Sequence, residues 1–200
     1  MLGSGGITLL YKIARILLIP IIYILYLPKV IGKENIPKTG SLVVYSNHTS
    51  FIDPVILGCT LPRKIHFMAK EELFKKRFLS YFLRKLGAFP VKRGKADISS
   101  IKNALRVLNK GEVFGIFPEG TRNKSGDIEE FARGIASIVY RSKAKAIPIA
   151  IIGGYKVFRP IKIIIGKPVD LEECFGEKSN KEVLDMMAVR MSEDLISMLT

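Results

Sequence analysis

The sequence predicts an α/β fold: a single domain with a largely parallel central sheet flanked by helices, preceded by an N-terminal membrane-anchoring helical segment. Three observations predict it. After Pro28, short apolar runs alternate with amphipathic stretches, the pattern left by strands joined through helical crossovers. The 200 residues, 48% of them hydrophobic, suffice for one domain with a sizeable core. The mean hydropathy of +0.23 is high for a chain of this size and points toward a membrane. The division falls at Pro28, with residues 1–28 as the anchor and 29–200 as the α/β domain.

The anchor comes first in the chain. Residues 7–28, ITLLYKIARILLIPIIYILYLP, are the most apolar segment, and about twenty helical residues can cross a bilayer core. Lys12 and Arg15 inside the segment, and Pro20 interrupting it, argue against a simple span. Thr8, Lys12, Arg15, Tyr23 and Tyr26 follow a helical stripe, which suits a helix lying in the interface with its basic side chains reaching phosphates. A helix packed on the protein's own core is the plainer alternative. Beyond it, strands are expected at 29–33, 41–45, 65–69, 88–91, 113–117, 146–151 and 161–165. Helices are expected at 54–60, 72–86, 98–109, 131–142 and 181–198. Asp97 is placed to cap the helix at 98–109, whose Ile101, Ala104, Leu105 and Leu108 share a face, and Gly111 follows its end. In the last helix, Leu184, Met187, Ala188, Met191 and Leu195 form a stripe for core packing.

Charge narrows the partners. The net charge is +14, and the stretch from Arg63 to Lys95 alone carries +9, so an anionic partner is expected: acidic lipid, a phosphorylated substrate or nucleic acid. No nucleic-acid-binding motif accompanies the charge. Cys59 and Cys174 lack metal-ligand spacing, and His48 and His66 are the only histidines, so no metal site is expected.

The chemistry gathers in two clusters. In SNHTSFIDP, residues 46–54, His48 and Asp53 are five apart. On a helix that spacing sets them about 140° apart around the axis, and on a strand it sends them to opposite faces. They meet only across a turn, and a strand-to-helix junction supplies one. Ser41 to Tyr45 reads as a buried strand, Ser50 and Asp53 make an S-x-x-D helix start, and Pro54 is tolerated in a first turn. Either Asp53 is a capping carboxylate beside an unrelated histidine, or the two form a dyad with one imidazole nitrogen held and the other free to take a proton. The second cluster, GEVFGIFPEGTRNKSG at 111–126, again runs from apolar strand to polar turn and delivers Glu119, Gly120, Thr121 and Arg122. Gly120 allows close ligand approach, and Arg122 can grip a phosphate bidentately. Lys70, and Lys92 with Arg93, stand at two other strand ends. Three strands ending in cations suit a phosphate site, although solvated loop charges account for each singly.

These residues carry a resemblance. N-H-T-S-F-I-D, G-A-F-P-V-K-R, F-P-E-G-T-R and A-I-P-I-A-I around Pro148 occur in the order of the four motif blocks of the glycerolipid acyltransferases. The chain most resembles the bacterial 1-acyl-glycerol-3-phosphate acyltransferases. FARGIASIV is similar to the family's next segment, with Ala132 where lysine is common.

The resemblance implies transfer of a fatty acyl group from a thioester, on coenzyme A or acyl carrier protein, to the free hydroxyl of lysophosphatidate. It makes 29–200 the catalytic domain, with His48 as base and Asp53 as its orienter. It gives the acceptor's phosphate to Lys70, Arg93 and Arg122, makes Glu119 either a shaper of the loop or a contact to the acceptor's polar groups, and counts Gly120 and Thr121 with it as substrate-binding. No cofactor is implied beyond the thioester cosubstrate. The expected partners are the acceptor and an anionic membrane surface on the cytoplasmic face, not nucleic acid. The alternatives are an acyltransferase for glycerol 3-phosphate or another lysolipid, and a non-enzymatic basic module for membranes or nucleic acid. That last reading leaves the paired motifs unexplained.

Overall fold

The structure, a computed structural model, describes residues 9–92, 97–118, 128–176 and 180–200, with backbone alone for 128–133. Its strands are β1 (Lys29–Ile31), β2 (Leu42–Ser46), β3 (Ile65–Lys70), β4 (Phe89–Val91), β5 (Val113–Ile116), β6 (Lys145–Ile152) and β7 (Lys162–Ile165). Its helices are α1 (Leu9–Tyr26), α2 (Asp53–Thr60), α3 (Arg77–Leu86), α4 (Ile98–Leu108), α5 (Ile128–Ser142) and α6 (Lys181–Ser197). The strands form one sheet in the order β1-β7-β6-β2-β5-β3-β4, parallel throughout except for the β6–β7 pair.

A strand covered by helices on both faces must be apolar at consecutive positions rather than alternate ones. Central β2, LVVYS, meets that requirement with all five residues buried. Its pleat sends Val43 and Tyr45 into a core shared with α4, α5 and α6, and Leu42 and Val44 into a second core shared with α1 and α2. Asp97 caps α4 as expected, accepting the Ser99 and Ser100 amides.

Several expectations give way to local physics. Gly32, at φ 81°, ends β1 early by turning the chain into a short 3-10 segment, Lys33–Asn35. The expected helix 72–86 is divided: β3 runs on to Lys70, a 3-10 turn covers Glu71–Phe74, and α3 begins only at Arg77. Pro20 does not interrupt α1, which passes through it. Ile52, not Ser50, is the N-cap of α2, and Asp53 is its first helical residue. The Ser50 carbonyl instead accepts the Asp53 amide at 3.2 Å.

Arg15 is the largest departure. It does not reach outward; its guanidinium donates to the Leu61 carbonyl at 2.9 Å and the Cys59 carbonyl at 3.3 Å. Those are carbonyls at the C-terminal end of α2, where helical partners run out and a cation is favoured. Tyr11 and Ile22 of α1 are also buried. Leu9, Ile13, Ile16, Leu17, Ile21 and Ile24 remain exposed.

Candidate active site

Parallel strands end together, so β2, β5, β3 and β4 deliver their following residues to one edge of the sheet. Asn47 ends β2 by substituting side chain for main chain. Its amide donates to the Ile151 carbonyl at 2.9 Å and accepts the Ile151 amide at 2.8 Å, continuing the ladder with β6 while the backbone turns away. That departure positions His48.

The turn brings His48 back onto Asp53. His48 Nδ1 lies 2.7 Å from Asp53 Oδ2, so this nitrogen carries the proton and donates it. The same oxygen accepts the Thr49 amide at 2.9 Å and the Ser50 amide at 2.8 Å. Oδ1 accepts the hydroxyl of Tyr155, from the loop between β6 and β7. Asp53 is 0% exposed, and a buried carboxylate is tolerable only when so thoroughly hydrogen-bonded. Its place at the first position of α2 adds the positive end of the helix.

The imidazole is fixed on its face as well as its edge. It stacks on Phe117, which follows β5, with centroids 4.3 Å apart and planes at 22°. Phe117 in turn stacks on Phe67 of β3 at 5.6 Å. Gly115 makes room for this row: a Cβ there would come within 2.4 Å of the Phe67 ring and 2.6 Å of Ile65. The side chain of His48 is 11% exposed, and Nε2 has no hydrogen-bond partner among the described residues. One nitrogen is committed and the other is available, the arrangement a general base needs.

The structure therefore joins His48 to Asp53. It sets Lys70, exposed, at the end of β3 on the same edge. Arg93, Glu119, Gly120, Thr121 and Arg122 lie outside the described residues, between flanks (Lys92, Pro118) that follow β4 and β5. Among the described residues no cluster of three or more His, Cys, Asp or Glu could hold a metal. Sequence reasoning gave no role to Phe117, Asn47 or Tyr155. The first two lie within the quoted motifs and were within reach of it. Tyr155 is 102 residues from Asp53 in a loop, where no spacing signals it.

Comparison with known proteins bears on this geometry. The Acyltransferase family model matches residues 28–152, a stretch that includes both His48 and Asp53. The chain belongs to this acyltransferase family. It is 38% identical to the 1-acyl-sn-glycerol-3-phosphate acyltransferase of Bacillus subtilis, over 82% of this chain and 84% of that one. It is 29% identical to a chloroplastic 1-acyl-sn-glycerol-3-phosphate acyltransferase of Arabidopsis thaliana, over 74% of this chain and 45% of the plant protein. Thus it spans most of the first and about half of the second. The crystal structure of the 1-acyl-sn-glycerophosphate acyltransferase PlsC from Thermotoga maritima superposes with a TM-score of 0.68, at 24% identity, over 94% of this chain and 76% of that one. That likeness supports the fold of the acyltransferase described above.

Proposed function

We propose that this acyltransferase moves a fatty acyl group from an acyl thioester to the free hydroxyl of lysophosphatidate, giving phosphatidate. The observation that carries the reading is the 2.7 Å His48–Asp53 contact in a chain akin to enzymes named for that reaction. An alcohol needs a base to become a nucleophile at neutral pH. His48 Nε2 takes the hydroxyl proton as the oxygen attacks the thioester carbonyl carbon, and Asp53 stabilises the imidazolium that forms. The tetrahedral intermediate collapses with cleavage of the carbon–sulfur bond, and the imidazolium returns the proton to the leaving thiolate. Lys70, Arg93 and Arg122 hold the acceptor's phosphate, and Glu119 and Thr121 shape the loop around it. The Thr49 and Ser50 amides are occupied by Asp53, so the oxyanion is met by other donors.

The reaction takes place on a membrane surface. About 27 Å long, α1 is long and apolar enough to cross a bilayer by composition. Yet it is held to the domain near both ends: Tyr11 and Arg15 bond to residues of α2 and its C-cap, and the Leu25 and Tyr26 carbonyls bond to the β6–β7 loop. A helix tied down along its length lies in the interface with its free apolar face in lipid. The +9 stretch from Arg63 to Lys95 adds attraction to anionic headgroups, on the cytoplasmic face where thioester donors are made.

An acceptor panel tests the reading. Purified protein is offered lysophosphatidate, glycerol 3-phosphate or monoacylglycerol, each with acyl-coenzyme A and with acyl carrier protein. The expected product is phosphatidate, with little turnover of the acceptor lacking phosphate. Equal use of monoacylglycerol would refute a phosphate site, and preference for glycerol 3-phosphate would move the enzyme to the neighbouring acceptor class.

A further inference from the structure

We infer that Tyr155 is a positioning residue for the reaction, holding the Asp53 carboxylate in the one rotation that serves His48. The inference rests on His48 and Asp53 being the reacting pair. Asp53 Oδ2 is shared by three donors, His48 Nδ1 and the Thr49 and Ser50 amides, all from the turn that precedes it. Oδ1 receives only the Tyr155 hydroxyl among the described residues. Three donors converging on one oxygen fix that atom but leave the carboxylate free to swing about it. The tyrosine closes that freedom, and it takes up a lone-pair site that is otherwise unmet at full burial.

The tyrosine is itself held by the end of α1. Its ring meets the Tyr26 ring edge-on at 5.9 Å. Around it the loop is fastened through backbone bonds from Phe158 N to the Leu25 carbonyl at 2.7 Å and from Ile161 N to the Tyr26 carbonyl at 3.0 Å. The stretch matched by the family model ends at residue 152, so Tyr155 lies just past it.

The test is Tyr155→Phe, which keeps the ring and its contact with Tyr26 and removes one oxygen. Turnover is measured alongside the low-field proton NMR signal of the His48 Nδ1–H, identified by its loss in His48→Ala. We expect kcat to fall by about tenfold, the effect of one hydrogen bond to a charged group. KM for donor and acceptor should stay within about twofold, and the low-field signal should shift or broaden. An unchanged kcat or an unchanged low-field signal in folded Tyr155→Phe protein would overturn the inference. So would equal losses in kcat and thermal stability that Tyr155→Leu merely repeats. The NMR readout needs no turnover, so failure of the acyl-transfer reading would show separately as inactive wild type with a normal signal.

Discussion

The two histidines share a ring and differ in everything around it. His48 keeps one nitrogen on a buried carboxylate and the other available. His66 spends Nδ1 on the Gly87 carbonyl at 3.1 Å, while Nε2 lies 3.0 Å from Glu112 Oε2 without alignment for a hydrogen bond. Two predictions separate their roles. His48→Ala abolishes acyl transfer in folded protein, and Asp53→Asn reduces it by orders of magnitude because an amide neither fixes the tautomer nor supports the imidazolium. Circular dichroism and turnover check both. His66 instead affects stability. Burial pushes its pKa down, the Lys64 charge adds to this, and Glu112 opposes it. The folded state then binds that proton less readily than the unfolded chain. Its contribution is full above the unfolded value of about 6.5 and is lost as pH falls through the lowered folded value. Urea unfolding across that window should show a steeper acid loss in the wild type than in His66→Gln. Equal slopes would remove His66 from the account.

Elements deliver these residues, and Gly115 shows how closely. Gly115→Ala should cost about 1–3 kcal/mol through overpacking. It should also lower activity, because the Phe67–Phe117 row that flanks His48 must shift. Pairing it with Phe67→Leu should recover part of both losses, a test by denaturation midpoint and kcat. The alternation of strand and helix was legible in the sequence because short apolar runs such as LVVYS, too short for a helix and bounded by polar turns, suit a doubly covered strand. The His48–Asp53 encounter was legible for a different reason: its spacing works only across a turn. What escaped depended on contacts distant in sequence. Arg15 read as an outward cation because nothing local reveals the α2 carbonyls it serves. Tyr155 carried no signal because its partner, Asp53 at the start of α2, is 102 residues away in sequence. The division of 72–86 lies at the 3-10 turn Glu71–Phe74, after which α3 begins only at Arg77, a break that helical periodicity does not register.

At the scale of the whole molecule, an apolar helix face and a net charge of +14 combine on a domain for which we propose a lipid acceptor. Deleting α1 would also release the loop that carries Tyr155, so point changes on its free face are the cleaner probe. Leu9, Ile16 and Ile24 are 73%, 71% and 61% exposed. Replacing all three by glutamine should leave thermal stability within a few degrees and weaken vesicle binding by at least about tenfold, since each buried aliphatic side chain contributes about 1.5–3 kcal/mol. Flotation with anionic vesicles checks it, and added salt should weaken the residual binding further. Separately, Arg122→Ala and Lys70→Ala should raise KM for lysophosphatidate by up to about tenfold, with donor KM little changed. Whether His48 activates a lysophosphatidate hydroxyl for acyl transfer is decided by following product formation in one experiment. Purified wild type and His48→Ala are incubated with lysophosphatidate vesicles and radiolabelled acyl thioester, and labelled phosphatidate is followed over time. Phosphatidate is expected from the wild type and none above background from the folded variant; equal phosphatidate from both would rule out His48 as the base.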